Sequence, residues 1–104
     1  MKYLVMVKPG PMPPPLELVR SAQSWLEERR SDGIFDAVYA YPEGGGCSIG
    51  DYDSHEDLME QLMEYPLSPF VQFEVQPLVE MDAAFPRFVS FIERMNEQMA
   101  GAAS

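Results

Sequence analysis

An α+β fold, in the order β-α-β-β-α-β and closed by one further helix, follows from three observations. Val71, Phe73 and Val75 alternate with Gln72, Glu74 and Gln76, the two-residue period of a half-buried strand. Leu16, Val19, Ala22 and Leu26 recur at helical spacing, as do Phe85, Phe88, Ile92, Met95 and Met99. Clusters of proline and glycine separate these stretches at short intervals.

Each element has its own signature. Tyr3 to Val7 is a first strand, rich in β-branched and aromatic residues, and Pro9-Gly10-Pro11 ends it. The loop with Pro11, Pro13, Pro14 and Pro15 is stiff and extended. A helix starts near Pro15, since proline suits a first helical turn. Leu18 and Trp25 widen its apolar stripe, Glu27 to Arg30 form its solvated end, and Gly33 is its left-handed stop. Ile34 to Tyr41 is a second strand, Pro42 to Gly46 a turn, and Cys47 to Asp51 a short third strand.

Asp53-Ser54 caps a second helix, favoured by Glu56 and Asp57 in its first turn. That helix runs to about Tyr65 with Leu58, Leu62 and Met59 or Met63 facing inward, and Pro66-Leu67-Ser68-Pro69 stops it. Phe70 to Val79 is the fourth strand. A last helix follows Asp82, and Gly101 to Ser104 fray.

This order is the ferredoxin-like arrangement, one domain over residues 1–104 with helices on one sheet face. Either Tyr3, Val5 and Val7 or Leu4 and Met6 then leave apolar side chains on the other face. A second copy of the sheet covers them most economically, giving a dimeric α/β barrel with a pocket between the sheets. The last helix, over 81–100, is expected at that subunit interface.

Composition narrows the function. The formal net charge of -10 argues against nucleic acid and anionic membranes, which need a cationic footprint. No apolar run approaches the roughly 20 residues of a membrane span, and the first eight residues are too short for a signal-peptide core. A single cysteine, Cys47, permits no intrachain disulfide and points to a reducing, cytoplasmic setting. Neither metal nor cofactor is expected: one His and one Cys do not complete a metal site. Gly44-Gly45-Gly46 joins two strands and precedes no Lys-Ser or Lys-Thr, so it reads as a hairpin and not a phosphate loop.

The stretch Ser48-Ile49-Gly50-Asp51-Tyr52-Asp53, followed by Leu58, Leu62 and Pro66-Leu67-Ser68-Pro69-Phe70, resembles the muconolactone Δ-isomerase family. There, a strand ending Ser-Ile-Phe-Asp-Val-Asp leads to a leucine-rich helix, a Leu-Pro-Leu-Phe-Pro-Tyr turn and an alternating strand. The likeness runs from Cys47 to Leu78; the first half matches by element order alone. It implies the dimeric barrel, built as a homodimer or a larger ring of dimers. The family's last strand carries Asp, Arg and Thr where this chain has Gln72, Glu74 and Gln76, and its second strand is rich in Arg, His and Trp where Ile34 to Tyr41 has no Arg or His. A guanidinium is the usual grip on a small carboxylate. Its loss implies a larger, neutral or phenolic ligand, as in relatives that process polyketide-like intermediates.

The leading expectation is a cofactor-independent isomerase or cyclase working by proton transfer on a small, largely apolar carbonyl compound. Glu74, at mid-strand on the polar side, is the candidate acid or base, since an apolar cavity raises a carboxyl pKa; a solvated Glu at a sheet edge is the competing reading. Tyr39 and Tyr41, taken to share a face with Phe35 and Ala37, are candidates to polarise the carbonyl, or else amphipathic packing at a seam. Gln72, Gln76 and Tyr3 are candidate ligand contacts. His55, at a helix start, is expected in solvent, and Cys47 as a small buried hydrophobe. A cofactor-less monooxygenase of the same barrel and a non-catalytic ligand-binding or accessory protein are the alternatives.

Overall fold

The computed structural model describes residues 1–103. Four strands, β1 (Lys2–Pro9), β2 (Phe35–Ala40), β3 (Gly46–Asp51) and β4 (Val71–Leu78), form one antiparallel sheet in the order β2-β3-β1-β4. The helices α1 (Leu16–Ser31) and α2 (His55–Glu64) alternate with them, and α3 (Met81–Ala103) follows. The ferredoxin-like α+β arrangement is therefore present.

Register settles which face each residue takes. Val5 stands opposite Ser48 and Val75, and Val7 opposite Gly46 and Phe73. These rows face the helices. There Tyr3 and Val5 meet Tyr52 and Leu58 in a small buried cluster, joined at its rim by Val7, Ile34, Leu62 and Phe73. Leu4 stands opposite Ile49 and Gln76, and Met6 opposite Cys47 and Glu74, so these rows lie on the helix-free face.

Local chemistry accounts for most boundaries. Gly33 takes a positive φ of 76° after α1, and Gly44 and Gly45 take 107° and 81° in the β2–β3 turn, where Tyr41 N–H donates to the Gly45 carbonyl at 3.0 Å. The three glycines are a hairpin, as expected. Ser54 caps α2 by accepting the Asp57 amide at 3.1 Å.

Several expectations are corrected. Neither Met59 nor Met63 faces inward; both are exposed, and Leu58, Gln61 and Leu62 make up the inward side of α2. Leu16 and Val19 are likewise exposed, and Ala22 is the one buried residue of α1. Phe35 does not share a face with Ala37 and Tyr39. A bulge between Phe35 and Ala37 absorbs one residue, so Phe35 stands opposite Gly50 on the helix side while Ala37 and Tyr39 stand opposite Ile49 and Cys47 on the other. Cys47 is half-buried. α3 begins at Met81, and Gly101 to Ala103 continue it; the fraying expected of Ser104 lies outside the described residues.

α3 stands apart. From Phe85 to Gly101 every residue is exposed, and the molecule measures 68 × 31 × 25 Å because this helix extends from the sheet. Pro86 lies inside it without breaking it. That proline has no amide to donate to the Asp82 carbonyl one turn back, while next to it Arg87 Nη1 donates to the Ala83 carbonyl at 2.5 Å.

Candidate functional site

Between the helix-side sheet face and α1 and α2 lies a cavity of about 650 Å³, within the usual range for a small-molecule site. Alternation places Val5, Val7, Val38, Ser48, Val71 and Phe73 on its floor. α1 contributes Trp25 and Leu26, and α2 contributes Gln61 and Leu62. The proline loop is one wall, held by Gly10, whose amide donates to the Phe70 carbonyl at 2.8 Å. Loops stiffened by proline keep such a wall in place at little entropic cost.

The polar groups at this cavity are few and uncharged. Gln61 Nε2 donates to the Tyr52 hydroxyl at 3.3 Å, and Ser48, Tyr65, the Trp25 indole and, at the sheet edge, Tyr39 and Cys47 are the other polar side chains. Burial pushes the phenols of Tyr52 and Tyr65 above their ordinary value, so both stay protonated donors at neutral pH. No Asp, Glu, Lys, Arg or His lines the cavity among the described residues. The neighbouring cation, Arg29, is engaged elsewhere: its guanidinium lies 4.4 Å from the centre of the Trp25 ring and 3.5 Å from a Glu64 oxygen. Trp25 also meets Tyr65 edge to face, with centroids 5.3 Å apart, and its buried Nε1 has no hydrogen-bond partner.

The residues singled out from the sequence fall in three places. Gln72, Glu74 and Gln76 lie on the helix-free face, exposed, with the Glu74 carboxylate 63% exposed and 4.0 Å from Lys8 Nζ. In the single chain that polar face does not line a hollow, since the cavity is behind the sheet. Tyr41 belongs to the same side as Glu74: its phenol is raised by desolvation, then by hydrogen bonding to the Cys47 thiol, then by the charges of Cys47, Glu43 and Glu74. Tyr39 borders the cavity at the edge of the sheet but is 70% exposed. Tyr3 is under the helices, 2% exposed, yet does not line the cavity. Its hydroxyl is hydrogen bonded to His55 Nδ1, the imidazole tautomer deciding which supplies the proton, and His55 is otherwise exposed as expected.

Tyr52, Gln61, Ser48 and Trp25 were not legible as site residues one by one. A signal for Gln61 was present: it sits between Leu58 and Leu62 near the apolar side of α2, where an amide needs a partner. Among the described residues no group of three or more His, Cys, Asp or Glu could hold a metal ion, and no helix is long and apolar enough to cross a membrane.

Comparison with solved structures places this architecture. A crystal structure of muconolactone isomerase superposes with a TM-score of 0.69 at 22% identity, over 82% of this chain and 95% of that one. The chain has a muconolactone isomerase-like fold. The 5-chloro-2-hydroxyhydroquinone dehydrochlorinase of Burkholderia phenoliruptrix AC1100, solved in complex with 2,5-dihydroxybenzoquinone, shares it at a TM-score of 0.58 and 12% identity, over 80% of this chain and 98% of that one. No protein-family model and no curated protein sequence matches the chain.

Proposed function

We propose that the cavity of this muconolactone isomerase-like fold takes an uncharged, largely aromatic carbonyl compound and that the protein reorganises it by proton transfer, as an isomerase or cyclase that needs no cofactor. The observation that carries this is the lining: aromatic and aliphatic walls, a Tyr52–Gln61 hydroxyl–amide pair, and no charged side chain. Trp25, Phe35, Tyr65, Phe70 and Phe73 offer ring edges and faces to a flat ligand. A protonated Tyr52 held by Gln61 donates to the ligand's carbonyl oxygen, which lowers the cost of the enol form. The quinone in the structure of the dehydrochlorinase supports a small oxygenated ring as the ligand class.

This role differs from the expectation that put Glu74, Tyr39 and Tyr41 at the chemistry and Gln72, Gln76 and Tyr3 around the ligand. With no carboxylate or imidazole at the cavity, the ligand's own acidity has to ease the proton's departure. The proton leaves one carbon to solvent water at the open mouth of the cavity and another carbon takes one back from that solvent, so the compound is isomerised or closed without net change in composition. Tyr52→Phe tests it: turnover of a hydroxyquinone-like candidate should fall at least about tenfold while the fold is kept, the contribution of one well-placed donor. Undiminished turnover would remove Tyr52 from the mechanism.

The absence of an acid–base side chain from the cavity also favours a second reading, a protein that binds such a compound without converting it. Saturable binding with no product by mass spectrometry would select that reading.

A further inference from the structure

We propose that α3 is an intermolecular arm whose apolar stripe seats on a second copy of this chain. The stripe carries Met81, Phe85, Phe88, Val89, Phe91, Ile92, Met95 and Met99, each between 41% and 66% exposed. The first turn apart, every described side chain of the helix is exposed, so none of the described residues covers it. At about 100 Å² of apolar surface each, these eight side chains offer roughly 800 Å², the area one partner contributes to a standard interface. A surface of that size on a single chain calls for a partner.

Three features select a second copy. First, the stripe is continuous with the helix-free sheet face. Leu78 stands opposite Lys2 on that face, and the exposed Val79 and Met81 lead from it into the helix. One two-fold operation can therefore cover the sheet face and the arm together. Second, the charges of α3 after its first turn, Arg87, Glu93, Arg94 and Glu97, all lie outside the positions that extend the Phe85–Phe88–Ile92–Met95–Met99 repeat, and the flanks carry Ala84, Val89, Phe91, Asn96 and Gln98. Flanks without charge suit burial on both sides, as between an arm and a broad protein surface, better than the charged rims of a two-helix coiled coil. Third, a membrane surface fits poorly: the polar side of α3 balances Arg87 and Arg94 against Glu93 and Glu97, and the chain as a whole carries -10.

The experiment is sedimentation of the full chain against concentration, comparing wild type with Phe88→Glu/Ile92→Glu and with Ser90→Glu on the opposite side. Wild type should self-associate. The stripe variant should associate at least about 100-fold more weakly, because a seated arm would have to bury two carboxylates, and Ser90→Glu should behave as wild type. Trp25 fluorescence checks that the body is intact, and it should be, since α3 packs on none of the core. Hydrogen exchange of α3 amides in wild type should slow as concentration rises. A monomeric wild type, equal association by the stripe variant, equal loss in Ser90→Glu, or α3 exchange independent of concentration would overturn the proposal. So would capture of a monomeric wild type by phosphatidylcholine vesicles, which would assign the stripe to lipid.

Discussion

Charge discrimination is the sharpest consequence of the cavity. Take two flat ligands of equal ring size, one a neutral hydroxyquinone and one bearing an added carboxylate. The neutral compound exchanges water for aromatic walls and for the Tyr52–Gln61 and Ser48 groups. The carboxylate leaves water for the same walls and finds no Arg, Lys or His among the described lining residues. An unpaired buried ion costs several kcal/mol even after relaxation. Part of that cost is relieved because the cavity opens to solvent and because neutral donors solvate the anion, so about 3 kcal/mol is a fair expectation, or roughly 100-fold in Kd. Titration followed by Trp25 fluorescence, with calorimetry as a check, reads the ratio directly. Val71→Trp, which fills the floor beside the proline loop, should abolish binding of both. If the carboxylate binds as tightly as its neutral analogue, or if Val71→Trp leaves binding intact, the cavity is not the ligand site and the assignment of Tyr52 goes with it.

Other outcomes follow from the same structure. Glu74→Gln should leave ligand affinity unchanged, since Glu74 lies across the sheet from the cavity; a lost affinity would return the site to the helix-free face. The raised phenols of Tyr52 and Tyr65 bind their protons more tightly in the folded chain than in the unfolded one. Their contribution is therefore whole below the unfolded value, about 10, and declines as pH rises from there through the folded values. The denaturant midpoint should fall on going above pH ~10, and less so in a Tyr52→Phe/Tyr65→Phe variant. Leu58→Ala removes a nearly buried side chain from a small core and should cost about 2–5 kcal/mol by chemical denaturation.

Much of the fold was written in local patterns. Ser54 with Asp57, Gly33 after Arg29-Arg30, and the Val71-to-Gln76 alternation each act over a few residues, so each was legible where it stood. The Pro66-to-Pro69 break could likewise only be a turn. What the pattern could not give was the side of the sheet on which a cavity forms. Alternation says that Phe73 and Glu74 point apart; it does not say whether helices roof the polar or the apolar row. The burial cost of Glu74 answers that: covering the apolar row hides Phe73, Val5 and Val7 and leaves the carboxylate in water beside Lys8. An apolar row under short helices with few large inward side chains leaves space, and that space is the cavity proposed above to take the ligand.

The bulge in β2 shows why a single residue can move a site. Without it, Phe35, Ala37, Tyr39 and Tyr41 would share one face, and two phenols would join whatever that face enclosed. Slipping one residue between Phe35 and Ala37 keeps Phe35 over the cavity and turns Ala37 and Tyr39 toward Cys47 and Met6. Tyr41 is drawn to the same side, where Cys47, Glu43 and Glu74 raise its phenol. The polar row and the aromatic row therefore do converge, but on the helix-free face that a second copy would cover, with only Tyr39 and Cys47 also reaching the edge of the cavity. The two proposals thus fall on opposite faces: the ligand is assigned to apolar walls with neutral donors, and the second copy to the helix-free face, continuous through Leu78 with the α3 stripe.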